Sequence, residues 1–104
     1  MNREEILAAA KKCVCGDREQ DYGTPESNFQ KIADLWNAYL GYTDMVQGIG
    51  AKDVAAMLAL LKIARISSGH AKADNWIDLA GYAACGGEIE AEENLPYEQC
   101  LHTI

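Results

Sequence analysis

Basic residues are scarce in this chain. Nine lysines and arginines stand against 16 aspartates and glutamates, a formal net charge of −7, and a surface of that sign repels the phosphates that nucleic-acid binding has to neutralise. No nucleic-acid partner is expected. Long apolar runs are missing too: the longest, Val54 to Leu61, is far short of the roughly 20 residues that span a bilayer. The N-terminal MNREEILAAAKK starts acidic, without a basic region leading into an apolar one. Neither export nor a membrane partner is predicted, and the expected location is cytoplasmic. Repeats, low-complexity tracts, alternating strand patterns and βα alternation are all absent, which excludes solenoids and parallel-sheet folds.

The four cysteines, Cys13, Cys15, Cys85 and Cys100, lack the spacing of a metal site. Cys13 and Cys15 are separated by one residue where zinc motifs usually have two or more, and no close His pair completes a tetrahedral set. Reduced thiols buried as small apolar side chains are the expectation.

What the chain does have is ordinary globular composition, 49% apolar and 24% charged over 104 residues, enough for one core but not two. Residues 1–104 are read as a single domain, with 94–104 a possible tail. Four helices are predicted. The first runs from about Asn2 to Cys15, with Asn2 as cap, Glu5 three residues on, Gly16 as stop, and Ile6, Ala9, Ala10 and Cys13 as its stripe. The second starts with Thr24 as cap and Pro25 at the first helical position, carries Phe29, Ile32, Ala33, Trp36, Tyr39 and Leu40 on one face, and ends at Gly41. The third, Ala51 to Ser67, repeats apolar residues at Val54, Met57, Leu58, Leu61 and Ala64, widened by Leu60, Ile63 and Ile66, and reads as central. The fourth is expected to be capped by Asp74 and to carry Ile77, Ala80, Tyr82, Ala83 and Ala84. Gly86 and Gly87 weaken it, although the acidic stretch Glu88 to Glu93 could continue it. The architecture is thus an all-α bundle of about four helices. Its wide apolar faces predict a homo-oligomer, a dimer or tetramer, with Phe29, Trp36, Tyr39 and the Leu58 to Leu61 region at the interface.

Chemistry can reside in two places. In the loop Arg18-Glu19-Gln20-Asp21-Tyr22-Gly23, Arg18 can fork onto phosphate, Tyr22 can stack on a base, and Gly23 can adopt positive φ; a rigid connector with Tyr22 in the core is the alternative. In the hairpin of the third and fourth helices, Lys62 and Arg65 share one helix edge, and Asp74 and Asp78 share a face. Either the aspartates hold Mg²⁺ against phosphate oxygens with Lys62 and Arg65 binding the remaining charge, or Arg65 and Asp78 form a structural ion pair, which residue type favours. Asp53 reads as a carboxylate favoured by a helix N-terminus, and the acidic run Glu88 to Glu93 as a solvated face. His70 and His102 stand apart from any nucleophile arrangement.

The blocks DYGTPESNF, IADLW, DVAAMLALLKIAR and DNWIDLAGYAA, in that order over about residues 3 to 90, resemble a family of short, uncharacterised phage and prophage proteins. That resemblance implies the cytoplasm of an infected or lysogenic bacterium. More remotely, the hairpin is similar to the all-α nucleoside triphosphate pyrophosphohydrolases of the MazG and dimeric dUTPase type. Those enzymes hold Mg²⁺ with E-x-x-E on one helix and E-x-x-D on the next. Asn75-Trp76-Ile77-Asp78 stands where the second motif would be, so Asp78 is the one metal-ligand candidate carried over. Lys62-Ile63-Ala64-Arg65 replaces the facing glutamates with cations, which suits phosphate binding better than a metal cage. The leading expectation is non-catalytic capture of a nucleotide-like small molecule, such as a host defence signal, through Arg18, Tyr22, Lys62, Arg65, Asp74 and Asp78, in a pocket between subunits. A Mg²⁺-dependent pyrophosphohydrolase using Asp21, Asp53, Asp74 and Asp78 is the second, and a purely structural interaction protein the third.

Overall fold

Four α-helices and no strand make up residues 1–16, 23–42, 48–69 and 71–94, the residues described by this computed structural model. They are α1 (Arg3–Cys15), α2 (Pro25–Leu40), α3 (Ala51–Ser67) and α4 (Ala73–Glu93), an all-α bundle as the sequence predicts.

Local chemistry fixes most of the ends. At α1, the Asn2 side chain accepts from the Glu5 amide at 2.8 Å while Glu5 accepts from the Asn2 amide at 3.1 Å, so two otherwise orphaned donors satisfy each other. Helix α2 follows Gly23, whose φ of 81° only glycine adopts readily. Thr24 Oγ1 caps it by accepting from Ser27 N at 3.2 Å, with Pro25 at its first position. Gly41, at φ 77°, stops it by turning its amide back onto the last helical carbonyls. The start of α3 is pinned twice. Asp53 accepts from the Gly50 amide at 2.9 Å, and Asn37 of α2 clamps Ile49 by donating to its carbonyl at 2.9 Å and accepting from its amide at 2.7 Å.

Helix α4 departs from expectation at its start. It begins at Ala73 after Lys72, without a side-chain cap, and Asp74 lies inside the first turn, where a carboxylate still benefits from the helix dipole. The helix then continues through Gly86 and Gly87 to Glu93. A Cβ on Gly81 would lie 3.1 Å from Val14 Cγ1, and one on Gly86 3.1 Å from Ala55 Cβ. Both glycines therefore give up helix propensity for close approach of α1 and α3.

That approach makes α4, not α3, the central helix: it packs on α3 and α1, and lightly on α2. The core comprises Phe29, Ala33, Ala51, Val54, Ala55, Cys85 and Ile89, with Val14, Ile32, Trp36, Leu58 and Tyr82 packed around it. The covered stripe of α3 is Ala51, Val54, Ala55, Leu58 and Lys62, while Met57, Leu61 and Ala64 of the expected stripe are exposed. Since α3 is apolar nearly all round, its periodicity could not say which side faces inward. Cys85 is buried as expected. Cys13 and Cys15 are exposed, because Ala10 and Val14 occupy the inward side of α1. Cys100 lies outside the described residues.

The glutamates at the acidic end of α4 are exposed, as expected of a solvated face, and Glu90 pairs with Lys52 at 3.5 Å. Glu92 has its carboxyl pKa raised, first by a side-chain hydrogen bond and charge repulsion from Glu26, then by desolvation and by Glu88. A carboxyl whose folded value is raised adds stability while protonated and loses it as pH rises through the folded value. Glu92→Gln should therefore melt above the wild type at neutral pH, with the gap closing below the ordinary carboxylate range. Thermal melts across pH check this, and a pH-independent gap would refute it.

Candidate functional site

The side chains of α4 bearing chemistry follow a helical repeat. Asp78 and Tyr82 are four apart and Cys85 three further on, so all lie along one face, flanked by Ile77 and Gly81. Opposite stand Cys13 and Val14 from the end of α1, and Gly23, Pro25, Asn28 and Phe29 from the start of α2. Together they line an open cleft with about 60 Å³ of internal space. Gly81 leaves room between α1 and α4, and the Gly23 turn with the Thr24 cap sets the first turn of α2 along the cleft. Phe29 and Tyr82 form an aromatic wall, with ring centroids 6.4 Å apart at 52°.

One charge in this largely apolar lining is fixed by a buried cation. Lys62 reaches across from α3 and its Nζ lies 2.8 Å from Asp78 Oδ2, with the lysine side chain 10% exposed and the aspartate 37%. Lys62 is not part of the lining: it holds Asp78 from the α3 side, while the carboxylate borders the cleft. Burying a cation is costly, and a close carboxylate offsets that cost.

The pairing differs from the one the sequence suggests. Arg65 is exposed, in no ion pair among the described residues, and it is Lys62 that meets Asp78. The reason is register: Val54, Leu58 and Lys62 recur every four residues along the inward face of α3, and Arg65 falls to its side. Asp74 is exposed, and the Asp53 carboxylate is engaged as a cap. Among the described residues no three of His, Cys, Asp and Glu come together as a metal-holding group. Arg18, Asp21, Tyr22, His70 and His102 lie outside the described residues, although Tyr22 is joined directly to Gly23 of the cleft. Asn28, Phe29 and Cys13 were not singled out as site residues. The i, i+4, i+7 series Asp78, Tyr82, Cys85 was the sequence signal that could have located the α4 wall of the cleft.

The model of a domain of unknown function, DUF6378, matches residues 5–90. The chain is similar to the Gene 55 protein of Mycobacterium phage L5, 37% identical over 92 residues, covering 88% of this chain and 56% of the relative. It is also similar to the Gene 55 protein of Mycobacterium phage D29, 38% identical over 89 residues, covering 86% of this chain and 56% of the relative. The chain thus spans about half the length of these phage relatives. No solved structure matches it. No helix among the described residues is long and apolar enough to cross a membrane.

Proposed function

The chain belongs to the DUF6378 family and is similar to proteins of two mycobacteriophages, and from its cleft we propose that it binds a nucleotide-like small molecule and holds it without cleaving it. What carries this reading is the Asp78 carboxylate, fixed by Lys62 at the wall of an apolar, aromatic-sided cleft. Ligand sites are typically apolar hollows with a few polar groups that set orientation. A nucleobase suits such a site. Its flat faces pack against Phe29 and Tyr82, and its N–H edge donates to Asp78, an acceptor-only group. Asn28 supplies both a donor and an acceptor. Arg18, whose planar fork matches phosphate oxygens, is the sequence's phosphate candidate and lies outside the described residues. Lys62 is already paired, so it acts through Asp78 and not as a phosphate ligand.

The pyrophosphohydrolase reading fits less well, because Asp53, Asp74 and Asp78 are a cap, an exposed first-turn residue and an ion-pair partner. The separating experiment incubates the protein with pooled cellular nucleotides, with Mg²⁺ or with chelator, and identifies by mass spectrometry what it retains and what it converts. Retention of an intact nucleotide in both conditions is expected. Asn28→Ala, which leaves the core untouched, should weaken binding roughly tenfold, as loss of a hydrogen bond worth about 1 kcal/mol or a little more implies. Mg²⁺-dependent turnover would replace capture by hydrolysis, and neither retention nor conversion in either condition would refute both.

A further inference from the structure

Resting on the nucleotide reading of the cleft, we propose that the base it takes is guanine, selected by the Asp78 carboxylate through two adjacent N–H donors. Asp78 Oδ2 lies 2.8 Å from Lys62 Nζ. An ion pair takes the carboxylate in its charged form, which accepts hydrogen bonds and donates none. Lys62, on the inward stripe of α3, also holds the group from behind, so its acceptors stand in a set place at the cleft. The lysine engages one of about four lone-pair sites on the carboxylate. Acceptors therefore remain for a ligand, and the Asp78 side chain is 37% exposed.

The edges of the bases decide which one fits. At its base-pairing edge guanine alone carries two adjacent donors, N1–H and the N2 amino group, spaced to meet a carboxylate in two parallel hydrogen bonds, as a guanidinium does. Adenine and cytosine set an amino donor beside a ring-nitrogen acceptor, and uracil and thymine set one N–H between two carbonyls. Each of these turns an acceptor toward a carboxylate that has no proton to offer. A polar site rejects such a partner strongly, because groups on both sides are left unpaired. Asn28 of the same lining extends the match, since its amide can donate to O6, the acceptor next to N1–H. The Phe29 and Tyr82 rings pack against any base face, so they add affinity without choosing. Size agrees with this direction of entry. About 60 Å³ of internal space admits the leading edge of a base and not a whole nucleoside, and the base-pairing edge is the one that leads when the sugar stays at the open mouth.

Isothermal titration calorimetry with the 5′-mono- and triphosphates of guanosine, inosine, adenosine, cytidine and uridine reads the choice. The guanosine forms should bind roughly ten- to a hundredfold tighter than those of adenosine, cytidine or uridine, the discrimination that a two-bond base contact gives. Inosine, which keeps N1–H and lacks the N2 amino group, should fall between. Asp78→Asn alone would strand Lys62, so the informative variant combines it with Lys62→Met, its fold checked by circular dichroism. An asparagine offers one donor and one acceptor. In that variant guanosine should lose its advantage, and xanthosine 5′-monophosphate, with N1–H beside a carbonyl, should gain it. Three results overturn the guanine inference while leaving nucleotide binding in place: no preference among the bases, wild-type protein that binds inosine as tightly as guanosine, or a folded double variant that still prefers guanosine. Binding of none of these nucleotides overturns both the inference and the reading it rests on.

Discussion

Asp78→Ala is expected to lower folding stability by about 3 kcal/mol, at the lower end of what stranding a buried charge costs, since the aspartate itself is partly solvated. Lys62 would be left 10% exposed among apolar neighbours without its carboxylate. In a domain of this size the loss corresponds to roughly 10–20 °C in melting temperature. The reverse change, Lys62→Met, should cost much less. It keeps the apolar stem on the Val54-Leu58 stripe, removes the buried charge, and leaves Asp78 able to hydrate through the cleft. Arg65→Ala should be near neutral, as an exposed residue outside any described ion pair. Thermal melts of the three variants without ligand test this order. Arg65→Ala as the most damaging of them would reinstate the Arg65–Asp78 pairing and refute the observed one.

Ile89→Ala should cost about 2–4 kcal/mol, the range for truncating a well-packed isoleucine. Ile89 is 1% exposed and belongs to the central cluster with Val54 and Phe29, yet it follows the Gly86-Gly87 pair in an otherwise acidic stretch. Were α4 to fray at those glycines, the substitution would change little. Denaturant unfolding should show a lower midpoint with an unchanged slope, meaning that stability and not the extent of the folded unit has changed. A loss below about 0.5 kcal/mol, the level of an ordinary surface change, would mean that the C-terminal half of α4 is not part of the core.

The helices were legible where local chemistry sets them. Asn2 with Glu5, Thr24 with Pro25, and Gly41 are short-range signals, and α1 begins, and α2 begins and ends, as those residues indicate. Asp74 reads as a cap because a first-turn carboxylate and a capping carboxylate look alike in sequence, although the observed N-cap, Lys72, lies two residues earlier. What the sequence could not settle was which side of α3 turns inward. Apolar residues nearly surround that helix, so the decision rests on where α4 can approach closely, and Gly86 against Ala55 makes that choice. The same rotation brings Lys62 to Asp78 and leaves Arg65, Met57 and Leu60 outside. Phe29, expected at a subunit interface, is core for a related reason: the small side of α4 admits its ring beside Tyr82. Of the expected ligand residues, Asp78 borders the cleft, Lys62 stands behind it, and Arg65 and Asp74 are exposed away from its lining. The cleft itself joins the ends of α1 and α2 to the middle of α4, a long-range assembly that no local pattern encodes.

The central claim is that the cleft around Asp78 is where a nucleotide sits. It is tested most directly by titrating ¹⁵N-labelled protein with a panel of ribo- and deoxyribonucleotides and mapping the amide shifts. Saturable shifts at Asn28, Phe29, Gly81 and Tyr82 are predicted for at least one nucleotide, with and without Mg²⁺, while amides on the outer face of α3 stay unchanged. No saturable shift with any member of the panel, or shifts confined to the acidic end of α4 or to the Arg65 side of the hairpin, would contradict the account.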